Sequence, residues 1–554
     1  MNAARALFMS DYQAYTGISL ELVGRNFDQS EFGGITAAQL QLNNGSGGVY
    51  TQTITSLNPY NVTFTVGTVP VGTYFVEVSN DSGINWARLS NGQTLSIVAT
   101  PGGTPDPLGL GVTWARDFNW TNVVNVTTDL VRLGIYSSNI NASDTAGDDK
   151  TPIQNAIKYV ESHGGGVVYF PNGNYYTSQI HMSPTVVLQG QDEYNTKIYY
   201  NGTGGWSFIS SYSDNYAGNA QPTMQLQGLA RLSILMSSDK VRPDVIINMG
   251  DNNVSGAGSD ETVRLANRIF FSQINLNYGY TSGSSSPSFD INDTDAGITY
   301  TGTSWTTVGS LHTTTHVGDS FQYTFTGSSI GYHTGQTGGA NYTVYLDGVA
   351  LATNVTYSDC WANTTTYGTH TLMVKYTGAS GQTMALNTLT VLTPRGLGML
   401  WTGKERVLMQ NNNLVGWSAT NTGTYVTQYC IIRNNYFEYS NGYVHDTANY
   451  AFFESNTVII HPEYNQDSHG LFGRSDTYFY NNYVQGAGDG SNVQNDGEAI
   501  ATEMPGGAFN FGTGTSATAT SITVIPTVTL VNPTVQYGDL SIMITNGRGL
   551  GQLR

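Results

Sequence analysis

Apolar residues follow a helical period in one short stretch and strand-like periods in most of the rest of the chain. Ile153, Ile157 and Val160 are spaced i, i+4, i+7, which places them on one face of a helix. The acidic pair at 148–149 precedes this run, where the positive end of a helix dipole favours negative charge. The pattern therefore predicts one amphipathic helix that ends at the glycines of 164–166.

A strand pattern follows these glycines at once. Residues 167–170 read VVYF and are stopped by Pro171, residues 172–173 are an Asn-Gly turn, and a second strand starts at Tyr175. The segment 164–175 resembles the opening of the pectate-lyase-like, right-handed parallel β-helix superfamily, which includes polysaccharide-degrading enzymes and phage tailspikes. The resemblance implies an all-β chain in which a capping helix precedes a solenoid of parallel coils.

Asparagines at regular spacing mark a repeat in the second half of the chain. Asn412, Asn435, Asn456 and Asn482 each follow an apolar alternating run, at separations of 23, 21 and 26 residues. This period fits β-helix coils whose inward asparagines hydrogen-bond from coil to coil. The alternative is four unrelated strands with asparagine turns, and the agreement of register, alternation and capping segment disfavours it.

Changes in strand spacing divide the chain into segments. The first resembles an IPT/TIG-type immunoglobulin-like domain in its stretches GRNF and VPVGTYFVEVSNDSG, and the Thr/Gly-rich fourth resembles a jelly roll of the carbohydrate-binding type, as an insertion that solenoids tolerate. The predicted segments are an Ig-like β-sandwich (1–100), a linker (101–111), the β-helix cap and first coils (112–289), an inserted jelly-roll β-sandwich (290–395) and the continued β-helix (396–554).

Composition narrows the partners. Of 554 residues, 65 are Gly, 36 are Tyr and 11% are charged, which is typical of a turn-rich and strand-rich extracellular or particle-associated protein. The net charge of −18 disfavours nucleic acid, because phosphate binding needs a basic surface, and favours a neutral or sparsely charged glycan. No run of 18 apolar residues occurs, so no membrane span is predicted. We expect a secreted protein, whose signal peptide is absent from this chain, or a phage-particle component.

Candidate chemistry concentrates in residues 441–503. Strands of neighbouring coils lie about 4.8 Å apart, so residues one coil apart become neighbours. The asparagine corners align His445, Phe472 and Ile500 on three successive coils, which predicts a groove there. The candidate catalytic carboxylates are Asp467, Asp496 and Glu498, and the candidate substrate-binding residues are His445, Asp446, His469, Arg474, Glu503, Trp401 and Tyr443.

Acids that outnumber cations suit general acid–base hydrolysis, so the first hypothesis is a polysaccharide-degrading glycoside hydrolase with paired carboxylates from neighbouring coils. A polysaccharide lyase of the same fold is the second, since histidines and tyrosines could act as the base. The third is a tailspike or adhesin fibre. Each carboxylate could instead belong to a turn, as Asp496 does in its Asp-Gly pair. The NTD, DD, GHG and RIK set of polygalacturonases is not found in the sequence, and residues 467–470 echo only one part of it.

No cofactor is expected, although carboxylate oxygens leave a structural calcium ion open. The expected partner is a polysaccharide substrate, and both a monomer and a homotrimer remain open.

Overall fold

The chain is all-β apart from a few short helices. The computed structural model of the protein describes residues 3–28, 38–103, 105–145, 147–202, 207–211, 225–236, 245–250, 266–277, 288–309, 311–335, 341–355, 360–378, 382–392, 397–415, 418–421, 428–439, 442–445, 449–460, 468–473, 477–485, 500–502, 513–517 and 522–525. They fall into two compact units, Met1–Thr502 and Glu503–Arg554.

An antiparallel sandwich begins the chain. Its apolar residues alternate along each strand, so that Leu20 and Leu22, for example, face a core shared with Val62 and Phe64. A short 3₁₀ turn at Ser90–Gly92 lies between the last two strands. The strands are β1 (Arg5–Met9), β2 (Gln13–Ala14), β3 (Ser19–Arg25), β4 (Gln39–Asn43), β5 (Val49–Leu57), β6 (Asn61–Thr65), β7 (Gly72–Ser79), β8 (Ala87–Arg88) and β9 (Thr94–Ile97).

The predicted amphipathic helix is confirmed. Helix α2 spans Lys150–Ser162 and buries Ile153, Ile157 and Val160 against the first strands that follow it. Gly165 then takes a left-handed backbone conformation (φ 79°), which favours glycine. A side chain at this position would also clash with Thr185. The other helices are a 3₁₀ helix at Thr113–Asp117 and α1 (Asp129–Arg132).

Strands on either side of α2 begin a stack of parallel coils. These are β10 (Val123–Asn125), β11 (Gly166–Phe170), β12 (Gly173–Thr177), β13 (Ile180–His181), β14 (Val186–Gly190), β15 (Thr196–Tyr200), β16 (Ser207–Ser210), β17 (Gln225–Met236), β18 (Val245–Gly250) and β19 (Ala266–Asn277).

Antiparallel strands with a core of their own interrupt this stack. We call them the insert: β20 (Ser288–Asn292), β21 (Thr299–Thr301), β22 (Thr306–Val308), β23 (Leu311–Thr314), β24 (Ser320–His333), β25 (Tyr342–Leu346), β26 (Val349–Val355), β27 (Cys360–Tyr376), β28 (Met384–Leu386) and β29 (Thr388–Leu392).

Parallel coils resume after the insert, where β30 pairs in parallel with β19, the last strand before it. The later strands are β30 (Leu397–Gln410), β31 (Asn413–Val415), β32 (Ser418–Asn421), β33 (Gln428–Arg433), β34 (Tyr436–Tyr439), β35 (Gly442–His445), β36 (Asn449–Glu454), β37 (Thr457–Ile460), β38 (Ser468–Gly473), β39 (Thr477–Tyr480), β40 (Tyr483–Gln485) and β41 (Ile500–Thr502). We call β10–β19 and β30–β41 together the coil stack. In the second unit, β42 (Thr513–Ala517) and β43 (Ile522–Ile525) pair antiparallel.

Each coil contributes to three parallel ladders. In the described part of the later coils, the first ladder contains β33, β36 and β39, the second β34, β37 and β40, and the third β35, β38 and β41. The inward side chains of the first ladder are apolar and stack directly on one another: Val168, Leu188, Leu229, Phe271, Met409, Ile432, Phe453 and Phe479.

The predicted asparagine ladder is confirmed. The side-chain amide of Asn412 donates to Oδ1 of Asn435 at 2.9 Å, Asn435 donates to Asn456 at 3.0 Å, and Asn456 donates to Asn482 at 2.9 Å. The backbone N–H of each upper residue donates to the same oxygen as its amide. The ladder therefore satisfies buried polar groups at the corner between the first and second ladders.

Outward residues of the first ladder form an apolar stripe that the rest of the chain covers. Trp114 and Phe118 from the segment before α1, with Phe8 and Val23 of the sandwich, pack on this stripe. The stripe runs in register down the ladder, with Gly228 between its second and third members: Val167, Val187, Phe270, Leu408, Ile431, Phe452 and Tyr478. Burial of this stripe fixes the sandwich against the coil stack.

Candidate functional site

The predicted groove falls on the third ladder, and its backbone register is partly as expected. His445 of β35 pairs with Phe472 of β38, as the asparagine corners predict. Phe472 pairs in turn with Ala501, and Ile500 lies one residue away, opposite Leu471. The chain lengths from each corner to the third ladder differ from coil to coil, and β38 holds an extra residue opposite β35, so counting from the corners loses the register.

The structure describes four of the ten candidate site residues. His445 and Tyr443 lie on β35, His469 lies on β38, and Trp401 lies on β30, where its backbone pairs with Met249. The remaining candidates lie outside the described residues: Asp446, Asp467, Arg474, Asp496, Glu498 and Glu503. The roles of all ten residues therefore stay predictions.

A cleft that the sequence analysis did not predict opens between the sandwich and the coil stack. Its volume is about 210 Å³. One wall comes from strands β3, β5 and β6 and the loop before β6, and the other from the outward face of the first ladder. Its lining residues are mostly polar: Glu21, Ser56, Asn58, Asn61, Thr63, Arg433, Asn434, Glu454, Ser455, Tyr478 and Tyr480.

Two carboxyl groups meet in this cleft, and we call Glu21 and Glu454 the carboxyl pair. The two side chains are hydrogen-bonded to each other. Asn61 donates from Nδ2 to Oε2 of Glu21 at 2.9 Å, which orients that carboxyl group. Beside them, Asn58 donates to the hydroxyl oxygen of Tyr478 at 3.1 Å, so the sandwich and the coil stack share a polar network.

Parallel register explains what surrounds Glu454. Arg433, Glu454 and Tyr480 occupy the same outward position on β33, β36 and β39. Arg433 is committed elsewhere, since it donates to the side chain of Gln410 at 2.9 Å and to the carbonyl of Leu110 at 2.6 Å. Its guanidinium therefore serves the coil stack and the linker as well as the cleft.

Burial sets the electrostatics of the cleft. Burial, followed by the charge and hydrogen bond of Glu21, raises the pKa of Glu454, and the Arg433 charge offsets only part of that rise. Burial likewise raises the pKa of Tyr478 to about 12, with the nearby carboxyl groups adding to the effect. Glu454 thus holds a proton at pH values where an ordinary glutamate is ionised.

The spacing of the carboxyl pair limits its chemistry. Hydrolysis across a glycosidic bond needs carboxyl groups about 5–9.5 Å apart, with room for the sugar between them. Glu21 and Glu454 are in direct hydrogen-bond contact, so the bond would not fit between them. We therefore keep the candidate catalytic groove on the third ladder and treat the cleft as a separate feature.

An ion pair also joins the sandwich to the coil stack. Arg406 on β30 donates from Nη2 to Oδ1 of Asp11 at 3.1 Å, and Asp11 is only 4% exposed. Thr113 donates to the other oxygen of Asp11, so one carboxylate joins the sandwich, the linker side and the coil stack. Breaking such a buried pair leaves an uncompensated charge.

Two further observations concern ligands and membranes. Within the described residues, no three His, Cys, Asp or Glu side chains are grouped so that they could hold a metal ion. In that same part of the chain, no helix has the length and apolar character needed to cross a bilayer.

The cleft was missed because its members are remote in sequence. Glu21 and Glu454 lie on different domains, and neither residue belongs to a catalytic motif. One sequence signal could have indicated part of the cleft. The asparagine corners place Arg433 and Glu454 at the same outward position on successive coils. Nothing in the sequence places strand β3 opposite that position.

No protein-family model and no curated protein matches the sequence. Among solved structures, the chain is similar to a family two carbohydrate esterase from Cellvibrio japonicus at 15% identity and a TM-score of 0.17, over 21% of this chain and 38% of that one. It is similar to the A-module of the Azotobacter vinelandii mannuronan C-5 epimerase AlgE6 at 13% identity and a TM-score of 0.26, over 62% of this chain and 54% of that one.

A third similar structure is ORF18 of Geobacillus virus E2, at 11% identity and a TM-score of 0.21, over 77% of this chain and 68% of that one. The chain thus spans 38% of the esterase and about half of the epimerase module. At TM-scores this low, none of these likenesses identifies the fold or the function of the chain.

Proposed function

We propose that the protein acts on polysaccharides as a glycoside hydrolase, built on a right-handed parallel β-helix and using paired carboxylates from neighbouring coils. The proposed catalytic residues are Asp467, Asp496 and Glu498. The proposed substrate is a neutral or sparsely charged glycan, in keeping with the net charge of −18. The protein would work outside the cell or on a phage particle, without a cofactor.

The observation that carries the proposal is the parallel register of β35, β38 and β41. These strands are successive neighbours in the third ladder, with His445 opposite Phe472 and Phe472 opposite Ala501. Asp467 directly precedes β38 in the sequence, and Glu498 precedes β41 by two residues. Parallel strands in register bring their equivalent ends together about 4.8 Å apart, so acidic residues at those ends would flank one groove.

Hydrolysis requires this kind of proximity. One carboxyl group must protonate the leaving oxygen while the other activates water or attacks the sugar. Adjacent coils supply the shorter separation of about 5–5.5 Å, and next-adjacent coils supply the longer one of about 6.5–9.5 Å. The groove is therefore compatible with either stereochemical course.

A glycan-panel digestion tests the proposal. Purified protein is incubated with a set of polysaccharides, and both new reducing ends and the ultraviolet absorbance of unsaturated products are followed. We expect reducing ends without absorbance, and a loss of at least about a hundredfold in rate for Asp467→Asn, Asp496→Asn or Glu498→Gln, the scale of an acid–base contribution.

Asp290→Asn is the matched control, because Asp290 lies on the insert, where its carboxylate accepts a hydrogen bond from Thr390. It should retain full activity. Absorbance together with reducing ends would replace the hydrolase by a polysaccharide lyase. Stable trimers that bind a glycan without cleaving it would replace it by a tailspike or adhesin fibre. Full activity in all three carboxamide variants would contradict the proposed residues.

A further inference from the structure

The contact between the sandwich and the coil stack contains a proton-dependent element. Most of the contact consists of the apolar stripe and the Asp11–Arg406 ion pair. The carboxyl pair differs, because two carboxyl groups can share a hydrogen bond only while one of them is protonated. If both are ionised, like charges face each other across the two domains.

We propose that Glu21 and Glu454 form a pH-dependent clasp, which holds the two walls of the cleft together while the pair retains one proton and lets them move apart when that proton passes to solvent. This inference concerns the domain contact and does not depend on the enzymatic activity proposed above. It assigns a role to a half-buried acidic side chain that the groove on the third ladder does not use.

The groups that face the pair decide its response. On the coil stack these are Arg433, Tyr478 and Tyr480, and on the sandwich the described cleft lining adds only neutral amide and hydroxyl groups. Arg433 favours the ionised pair, but its guanidinium donates hydrogen bonds to Gln410 and Leu110. Burial keeps Tyr478 neutral to a pH beyond the range in which the pair titrates, because its pKa is raised to about 12.

The sign of the response follows from linkage. Because the pKa of Glu454 is raised in the folded protein, the folded form binds the proton more tightly than the unfolded form. The stabilisation is fully present below the ordinary glutamate value of 4.5 and is lost as the pH rises through the raised value. The clasp is therefore closed in acid and opens in base.

Opening should be local. The apolar stripe joins the sandwich to the coil stack independently of the carboxyl pair, so the sandwich remains attached. Only the two carboxyl side chains and the cleft walls beside them gain freedom to separate. An increase in access to the cleft is thus the expected consequence, without unfolding of either domain.

Infrared titration of the full chain tests the proton directly. The carbonyl stretch of a protonated carboxyl group should persist after ordinary carboxyl groups have ionised, and should disappear only at higher pH. Glu454→Gln, which keeps a neutral hydrogen-bonding side chain, should abolish this band, and Glu21→Gln serves if that variant does not fold. Glu438→Gln is the matched control, since Glu438 lies on β34 and bonds to Tyr436 instead. Absence of a persistent band in the native protein would overturn the clasp.

A thiol probe tests the opening. Ser455→Cys places a thiol in the cleft, and its alkylation is compared, at each pH, between the native and the Glu454→Gln background, with labelled peptides mapped to separate it from Cys360 and Cys430. The alkylation rate in the native background, divided by the rate in the Glu454→Gln background, should be near one in acid. This ratio should rise by about tenfold for each pH unit of the transition. A ratio that stays flat across the pH range, with the infrared band present, would show that the proton does not hold the cleft closed.

Discussion

The early and late coils turn the same corner with different interiors. In the early coils, Arg231 and Gln273 take a left-handed backbone, and the next residues, Leu232 and Ile274, point into an apolar core. In the late coils, left-handed residues such as Asn411 occur at the same corner. There the next residue is an inward asparagine: Asn412, Asn435, Asn456 or Asn482.

The boundary between the two solutions is sharp. Ile274 is the last apolar corner residue, and its backbone N–H donates to Oδ1 of Asn412 at 2.8 Å. The first asparagine thus caps the coil above it as well as bonding to Asn435 below. The same left-handed backbone geometry therefore occurs with both kinds of corner residue. Leu232 and Ile274 bring no polar side chain to the corner, whereas the late coils pair their buried polar groups in a continuous chain of hydrogen bonds.

The largest test removes the middle of the polar chain. Asn435→Leu takes the acceptor from the backbone N–H and the amide of Asn412, and takes the donor from the carbonyl of Met409 and from Asn456. Each stranded buried group costs about 1–3 kcal/mol, so we expect a loss of about 4 kcal/mol or more in the free energy of unfolding.

Chemical denaturation measures this loss. Asn413→Ala is the control, because Asn413 is adjacent but bonds outward to Asn275. It should cost no more than about 1 kcal/mol. Equal losses for the two variants would mean that the inward ladder contributes nothing special.

The next test empties the apolar corner. Leu232→Ala leaves a cavity in the early coils but strands no polar group, since the Leu232 side chain is fully buried among apolar residues. We expect a loss of about 3 kcal/mol in the same denaturation experiment. A larger loss than for Asn435→Leu would reverse the ranking of the two corners.

A smaller test addresses the geometry that both regions share. Asn411 has φ of 55° and an exposed side chain, so its substitution changes the backbone preference more than the packing. Asn411→Val should cost about 1–2 kcal/mol, because β-branched residues resist the left-handed region. Asn411→Gly should stay within about 0.5 kcal/mol of the native protein. Thermal midpoints compare the pair, and identical midpoints would refute the role of the left-handed turn.

The smallest effect concerns the capped end of the early coils. Burial raises the pKa of Asp149, at the start of α2, to about 6. The folded form therefore holds this proton more tightly, and the associated stability is lost as the pH rises from 3.8 through about 6. Solvent screening limits the effect to less than about 1 kcal/mol. The midpoint difference between the native protein and Asp149→Asn should change over that pH range, and a constant difference would argue against a raised value.

Local patterns in the sequence carry much of the fold. The i, i+4, i+7 spacing of Ile153, Ile157 and Val160 predicts α2 because a helix must bury a stripe, and all three are buried. The asparagine spacing predicts the polar corner because identical side chains can bond only in register. Both signals depend on neighbours within one coil or on the next.

Remote contacts lie beyond such patterns. Register on the third ladder drifts by one residue at Ile500, because loop lengths and a bulge intervene between the corner and the strand. The carboxyl pair depends on how the sandwich docks, which no periodicity in either segment encodes. In the candidate groove, the structure confirms the predicted pairing of His445 with Phe472. The roles of the candidate carboxylates stay predictions.

The insert has a consequence for the order of folding. Its first and last strands pair with each other, Ser288 opposite Leu392, so its two ends lie side by side. Before the insert forms, joining β19 to β30 closes a loop of more than a hundred residues, which raises contact order and slows folding. Once it has formed, the same contact spans a short effective loop and costs little chain entropy. We expect the insert to fold first and the late coils to add to the early ones afterwards.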